Sequence, residues 1–348
     1  MKPYTHGGEI YDKDIRLDVS INVNPFGMPT SVQSALVEAM SSYTLYPDDT
    51  CSNLRKELSN HHSVDSEYIL CGNGAADIIY RFCMAIQAKT AMVLAPTFSE
   101  YEAALAVCGT KVERFLLTKE NGFSITKERV KEIPAEIDVL FLCNPNNPVG
   151  NLIPIEVMEA ILEHCRRHEI FLFVDECFME FTGKVGLHSV IPKCKETTNL
   201  LVIKAFTKSY GMAGIRLGYG ISSDKNLLKR MKQVGPPWNV STPAQVAGCM
   251  ALKEEEYLKE TVAYVTKERE TLVKGLRELG FTVYESETNY VLFEAYEELY
   301  EQLLCCKVLI RQCGNYHGLS GHFYRSAVRT TEENKALLEA IRSVREEI

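Results

Sequence analysis

The chain has 348 residues, 46% of them hydrophobic and 24% charged, with a formal net charge of −8. That length supports a large core and two intimately packed domains, and the composition is ordinary for a soluble globular enzyme. The negative balance argues against a nucleic-acid backbone as main partner, and no apolar run approaches the roughly 20 residues of a membrane span. The first residues lack the apolar core of a signal peptide, which points to a cytoplasmic protein. Twelve cysteines are scattered without a C-x-x-C spacing. They read as reduced thiols filling apolar space, and no metal site is expected from them.

In chain order, the first apolar run is 68–71. It leads into a glycine turn, Gly72-Asn-Gly74, and a helical pattern through Ile78, Ile79, Phe82, Met84 and Ile86. Residues 91–95 read as a second buried strand ended by Pro96, and 139–143 as a third ended by Asn-Pro-Asn-Asn-Pro-Val-Gly (144–150). An amphipathic helix over 155–168 precedes a fourth strand, 170–174, ended by Asp175-Glu176. A fifth, 200–203, leads into a glycine-punctuated stretch holding Thr207, Lys208 and Arg216. Continuous apolar strands separated by helices predict an α/β fold, a mostly parallel sheet covered on both faces.

After about residue 245 the pattern changes. A charged helix over 253–279 is followed by strand-like runs at 281–284, 289–293, 308–311 and 323–330, then by a terminal helix. This predicts a large domain over 41–244 and a smaller α+β domain built from 1–40 and 245–348.

Every polar cluster of the large domain falls at the carboxyl end of a strand, where ligands bind in such sheets. Lys208, beside a hydroxyl and just past a buried strand, sits where a lysine can lose its proton and form a Schiff base with a carbonyl cofactor. That suggests pyridoxal 5′-phosphate, whose remaining needs can be looked for. Gly74, Ala75 and Ala76 open a helix after a glycine turn and suit a phosphate, with Thr207 and Arg216 as further partners. A dinucleotide would want an acidic residue about 20 positions on, and none is there. Asp175 ends a fully apolar strand, so its carboxylate needs a cation, and a protonated pyridine nitrogen would serve. Glu176 points the other way on an extended chain. Asn147 can donate to the phenolic oxygen, and Phe98 can stack on the ring. On the substrate side, residues 323–329 alternate like a strand, so Arg325 and Arg329 share a face about 13 Å apart. With Arg311 they suit a small molecule carrying an anion at each end.

In this order, these motifs resemble fold-type I pyridoxal-phosphate enzymes of the aspartate aminotransferase superfamily, along essentially the whole chain. Within it, the resemblance leans toward the L-threonine-O-3-phosphate decarboxylases of cobalamin synthesis and next toward histidinol-phosphate aminotransferases. His6-Gly7-Gly8, Asn22 in Ile-Asn-Val-Asn-Pro, Pro237-Trp-Asn-Val240 and Arg329 favour the first. The resemblance implies Lys208 as Schiff-base lysine, Asp175 at the ring nitrogen and Asn147 at the phenolic oxygen. It implies Tyr46 at the cofactor phosphate of the other subunit of a homodimer. It implies Arg325 and Asn22 at the substrate carboxylate, and His6, Arg311 and Arg329 at the substrate phosphate. Phe178 stands where many aminotransferases have a tyrosine; it cannot donate to the cofactor.

Overall fold

The computed structural model describes residues 7–346. Its centre is a seven-stranded sheet, in the order Ile69–Gly72, Gly218–Ile221, Leu200–Ala205, Phe171–Asp175, Val139–Cys143, Thr90–Ala95, Lys111–Leu116. Six strands run one way, and Gly218–Ile221 runs antiparallel to both neighbours. The three strands Val139–Cys143, Phe171–Asp175 and Leu200–Ala205 are buried at every residue. Helices cover both faces of such a sheet, so each strand reads as one apolar run.

Two strands of this sheet were not apparent in the sequence. Lys111–Leu116 is an edge strand with only Phe115 buried, and its charged residues mask the pattern. Gly218–Ile221 carries two glycines, which weaken any strand signal. Gly218 is required there, because a Cβ would lie 2.6 Å from the Ala75 nitrogen. The strand therefore lets the Gly74–Ile86 helix start close against the sheet.

The charged helix spans Glu255–Glu278. Beyond it, a second sheet is antiparallel, in the order Arg311–Gln312, Phe323–Ala327, Tyr290–Glu294, Thr282–Val283. The expected strand 308–311 is split. Val308–Leu309 pairs in parallel with Leu17–Asp18, while Arg311–Gln312 pairs with Phe323–Ala327. The Ala327 N–H also donates to the Val19 carbonyl at 2.8 Å. These bonds bring residues 18–22 beside Arg325. Among the described residues, no helix is long and apolar enough to cross a membrane.

Candidate active site

A cavity of about 460 Å³ opens at the carboxyl ends of the parallel strands. Ala75, Ala76, Phe98, Asn147, Asp175, Thr207, Lys208 and Arg216 line it, together with Asn22, Arg311 and Arg325. The first eight lie at or beyond the carboxyl ends of five different strands. Asn22, Arg311 and Arg325 come from the N-terminal segment and the antiparallel sheet. The cavity thus joins the two groups of residues that the sequence set apart.

Asp175 is buried, as its place at the end of an apolar strand demands. Its carboxylate accepts the Tyr101 O–H at 2.7 Å and the Cys177 N–H at 2.9 Å. Burial raises its pKa, against the lowering effect of the Cys177 thiol, the Tyr101 hydroxyl, the Cys177 N–H and the more distant Lys204 charge. No ion pair joins Asp175 to a cation among the described residues, so the carboxylate lacks the positive charge its depth calls for. Glu176 does point to the other side, accepting from Ser189 and Val190 and lying near Lys204.

Lys208 follows the strand Leu200–Ala205 in the short helix Phe206–Ser209. It is partly exposed, as a cavity-lining side chain must be. Desolvation lowers its pKa to about 8, and the positive charges of Arg325 and Arg216 push the same way. Its ammonium lies 6.0 Å from the centre of the Phe178 ring.

Gly74 opens its helix at φ +82, and a Cβ there would lie 2.5 Å from Arg216 Nη2. The helix start and a guanidinium therefore meet with only a hydrogen between them, and both attract an anion. Arg216 itself adopts a left-handed conformation, with its Nη1 donating to the Ala213 carbonyl at 3.1 Å.

Arg311 and Arg325 stand directly opposite each other across the antiparallel pair, and both are buried. Like charges in that register destabilise a sheet. Arg325 donates to Asn147 Oδ1 at 2.6 Å and to the Ser20 carbonyl at 2.9 Å, while its Nε has no partner. An arginine only donates, so the contact fixes the Asn147 amide with Nδ2 as its remaining donor. Asn22 is buried with its Oδ1 unbonded.

Three expected site residues do not line the cavity. Gly74 does not line the cavity, although it shapes the wall through Arg216. Arg329 does not share Arg325's face, because the strand ends at Ala327. Two residues further on, its guanidinium pairs with Glu333 at 3.1 Å instead of lining the cavity. Tyr46 is 79% exposed and stacks on Trp238, with ring centres 4.5 Å apart. His6 lies outside the described residues. Tyr101 was missed. Its one sequence signal was a phenolic hydroxyl in an apolar helical run, which needs a partner when buried.

A family model for aminotransferase class I and II matches residues 14–341. The chain belongs to this family. It is 35% identical to a threonine-phosphate decarboxylase of Salmonella typhimurium, over 97% of this chain and 96% of that one. It is 31% identical to a histidinol-phosphate aminotransferase of Ruminiclostridium cellulolyticum, over 98% and 95%. A solved histidinol-phosphate aminotransferase from Clostridium acetobutylicum superposes with a TM-score of 0.89 at 31% identity, over 95% of this chain and all of that one. The protein is therefore an enzyme, and its cofactor is pyridoxal 5′-phosphate. The cavity fits that molecule. It offers a buried carboxylate lacking a cation, a lysine that gives up its proton near pH 8, and a glycine-backed arginine at a helix start.

Proposed function

We propose that this protein decarboxylates L-threonine O-3-phosphate, giving 1-aminopropan-2-yl phosphate and CO₂. The observation that carries this reading is the buried pair Arg311 and Arg325, opposed in register on the cavity wall. Such a pair calls for anionic groups between or beside the guanidiniums, and a substrate with a carboxylate and a phosphate supplies both. The relative at 35% identity over nearly the full length supports decarboxylation in particular.

In this reading Asp175 holds the cofactor's ring nitrogen protonated. Asn147 Nδ2 donates to its phenolic oxygen, and Phe98 covers its ring. Ala75, Ala76, Thr207 and Arg216 hold its phosphate, and Lys208 is its covalent anchor. When bound, pyridoxal 5′-phosphate supplies an electron sink for a bond broken at the substrate's Cα. The chain's own residues decide which bond that is. Arg325, held by Asn147 and Ser20, takes the carboxylate with Asn22 and fixes its rotation about Cα. Arg311 takes the phosphate, with His6 as a further proposed partner. When CO₂ leaves, the carbon gains one proton, which Lys208 Nζ would deliver. Held near pKa 8, that amine gives up a proton more readily than an ordinary lysine.

The same reading takes the enzyme as a cytoplasmic homodimer that serves cobalamin synthesis. Tyr46, exposed and clear of its own cavity, would reach the cofactor phosphate of the partner subunit.

Incubation of the purified enzyme with O-phosphothreonine, without any keto acid, tests the reaction. Release of CO₂ and an amino alcohol phosphate is the expected result. Turnover only of histidinol phosphate with 2-oxoglutarate would overturn it. That second reading, an aminotransferase, is supported by the relatives and fold neighbours of that name.

A further inference from the structure

A second cavity, also about 460 Å³, shares no lining residue with the first. It runs along Ile69–Gly72, the strand at one edge of the seven-stranded sheet. Four cations line it, Arg55, Arg81, Lys229 and Lys232. They come from three helices, Ser52–His62, Gly74–Ile86 and Lys225–Gln233. None has a role in the site described above. We propose that this cavity is a second binding site, one that takes the phosphate group of a small molecule. It stands independently of the reaction proposed for the first cavity.

The chain answers these charges only in part. Asp49, the one carboxylate on the wall, pairs with Lys232 at 2.9 Å. Asp77, which does not line the cavity, accepts from Arg81 Nε at 3.0 Å. Asp48 is taken up by Thr50 and Ser52 at the start of the helix Ser52–His62. Arg55 gives its Nε to the Ser66 carbonyl at 3.0 Å. Among the described residues, neither Arg55 nor Lys229 pairs with a carboxylate. Arg81 is the decisive side chain. It is 4% exposed, and its Nη2 has no partner. Gly235, also on the wall, lies so close to the guanidinium that a Cβ there would stand 2.2 Å from Cζ. A buried charged donor without an acceptor is destabilising, and an anion in the cavity offsets that loss. In a chain of net −8, an enclosed cluster of cations also concentrates anions locally.

The directions of approach set the class of anion. Lys229 and Lys232 stand three residues apart on one helix face, while Arg55 and Arg81 come from two other helices. A planar carboxylate accepts within its own plane. A phosphate presents three strong acceptor oxygens in three directions, so it can answer donors from three elements at once. Ile69, Pro236, Pro237 and Val240 give the rest of such a molecule an apolar wall.

The test uses the cofactor-loaded enzyme and labelled pyrophosphate in equilibrium dialysis at fixed ionic strength. One site per protomer should be weakened at least tenfold by Lys229→Glu and left unchanged by Arg311→Leu, which alters only the first cavity. Lys193→Glu makes the same change of charge at an exposed lysine outside the cavity, and it should have no effect. Arg81→Met should abolish binding at this site; if that buried variant misfolds, Lys229→Glu, on the surface, still decides. The proposal is overturned by a parent enzyme that binds no pyrophosphate, or by a single site that Arg311→Leu removes. Equal weakening by Lys229→Glu and Lys193→Glu would overturn it as well. Turnover in Lys229→Glu should match the parent, and its loss would overturn the separation of the two sites. Malonate, a dicarboxylate, should displace the probe at least tenfold less well than methyl phosphate, and equal displacement would overturn the class of ligand.

Discussion

Lys208 should destabilise the protein that carries it. Its pKa falls from 10.5 to about 8 on folding, chiefly through desolvation and then through Arg325 and Arg216. At about 1.4 kcal/mol per pH unit, the full penalty is about 3 kcal/mol. Partial exposure of the residue allows some screening, which leaves about 2 kcal/mol. Because the folded value lies below the unfolded one, the penalty is complete below about pH 8, where both states hold the proton. It shrinks between about 8 and 10.5, where the unfolded chain alone still binds the proton, and vanishes above that. Lys208→Met keeps the volume and removes the charge. In the cofactor-free protein, urea unfolding at fixed protomer concentration should show the variant about 2 kcal/mol more stable at pH 7. By pH 9.5 more than about half of that advantage should be gone. A variant less stable than the parent at pH 7, or an advantage that does not change with pH, would refute the account of Lys208 as a desolvated amine.

Gly74→Ala combines a left-handed backbone with a Cβ 2.5 Å from Arg216 Nη2. Strain of about 1–3 kcal/mol should weaken cofactor retention by roughly tenfold or more, read by dialysis and absorbance, while excess cofactor restores turnover. Tyr101→Phe removes the 2.7 Å donor to Asp175, an effect of about 1–3 kcal/mol on a buried acceptor. It should lower kcat with little change in KM, and Tyr101→His, which keeps a donor, should recover part of the loss. Arg325→Leu deletes the guanidinium held by Asn147 and Ser20. It should raise KM by about 10²-fold or more through loss of a buried charge pairing of about 3–5 kcal/mol, with cofactor binding nearly intact in an absorbance titration.

The parallel strands were legible because each is buried on both faces and reads as one apolar run. The exceptions have physical causes. Lys111–Leu116 lies at the sheet edge and carries solvent charges. Gly218–Ile221 gave up side chains so that the Gly74 turn could pack against it. Asp175, Asn147 and Lys208 were legible for one shared reason: each is a polar group just past a buried strand. Arg329 was misplaced because alternation alone does not reveal where a strand stops. Glu333, on the next helix, takes its guanidinium. Tyr101 was hidden because its partner is 74 residues away, and within its own helix a tyrosine resembles any core aromatic.

The opposition of Arg311 and Arg325 was beyond sequence reasoning, which gave the two residues but not their register. That register explains more than substrate binding. Four cationic side chains, Lys208, Arg216, Arg311 and Arg325, line one cavity, and two of them depress the pKa of the first. Asp175 is the buried carboxylate on the same wall, and its own pKa is raised by burial. A cavity so charged is costly in the empty protein. Anions that bind it gain from a field already in place, because no side chain must travel to meet them. The same field depresses the basicity of Lys208, so under the proposed function the features that draw a phosphorylated amino acid into the cavity would also ready the amine that acts on it. Removing Arg325 or Arg216 should therefore move the Lys208 pKa upward as well as weaken binding. Arg325→Leu should move it most, since Arg325 ranks above Arg216 among the charges that lower it. A pH titration of the lysine's alkylation rate in the cofactor-free protein would measure this directly, and an unchanged midpoint in Arg325→Leu would show that the two functions are separate.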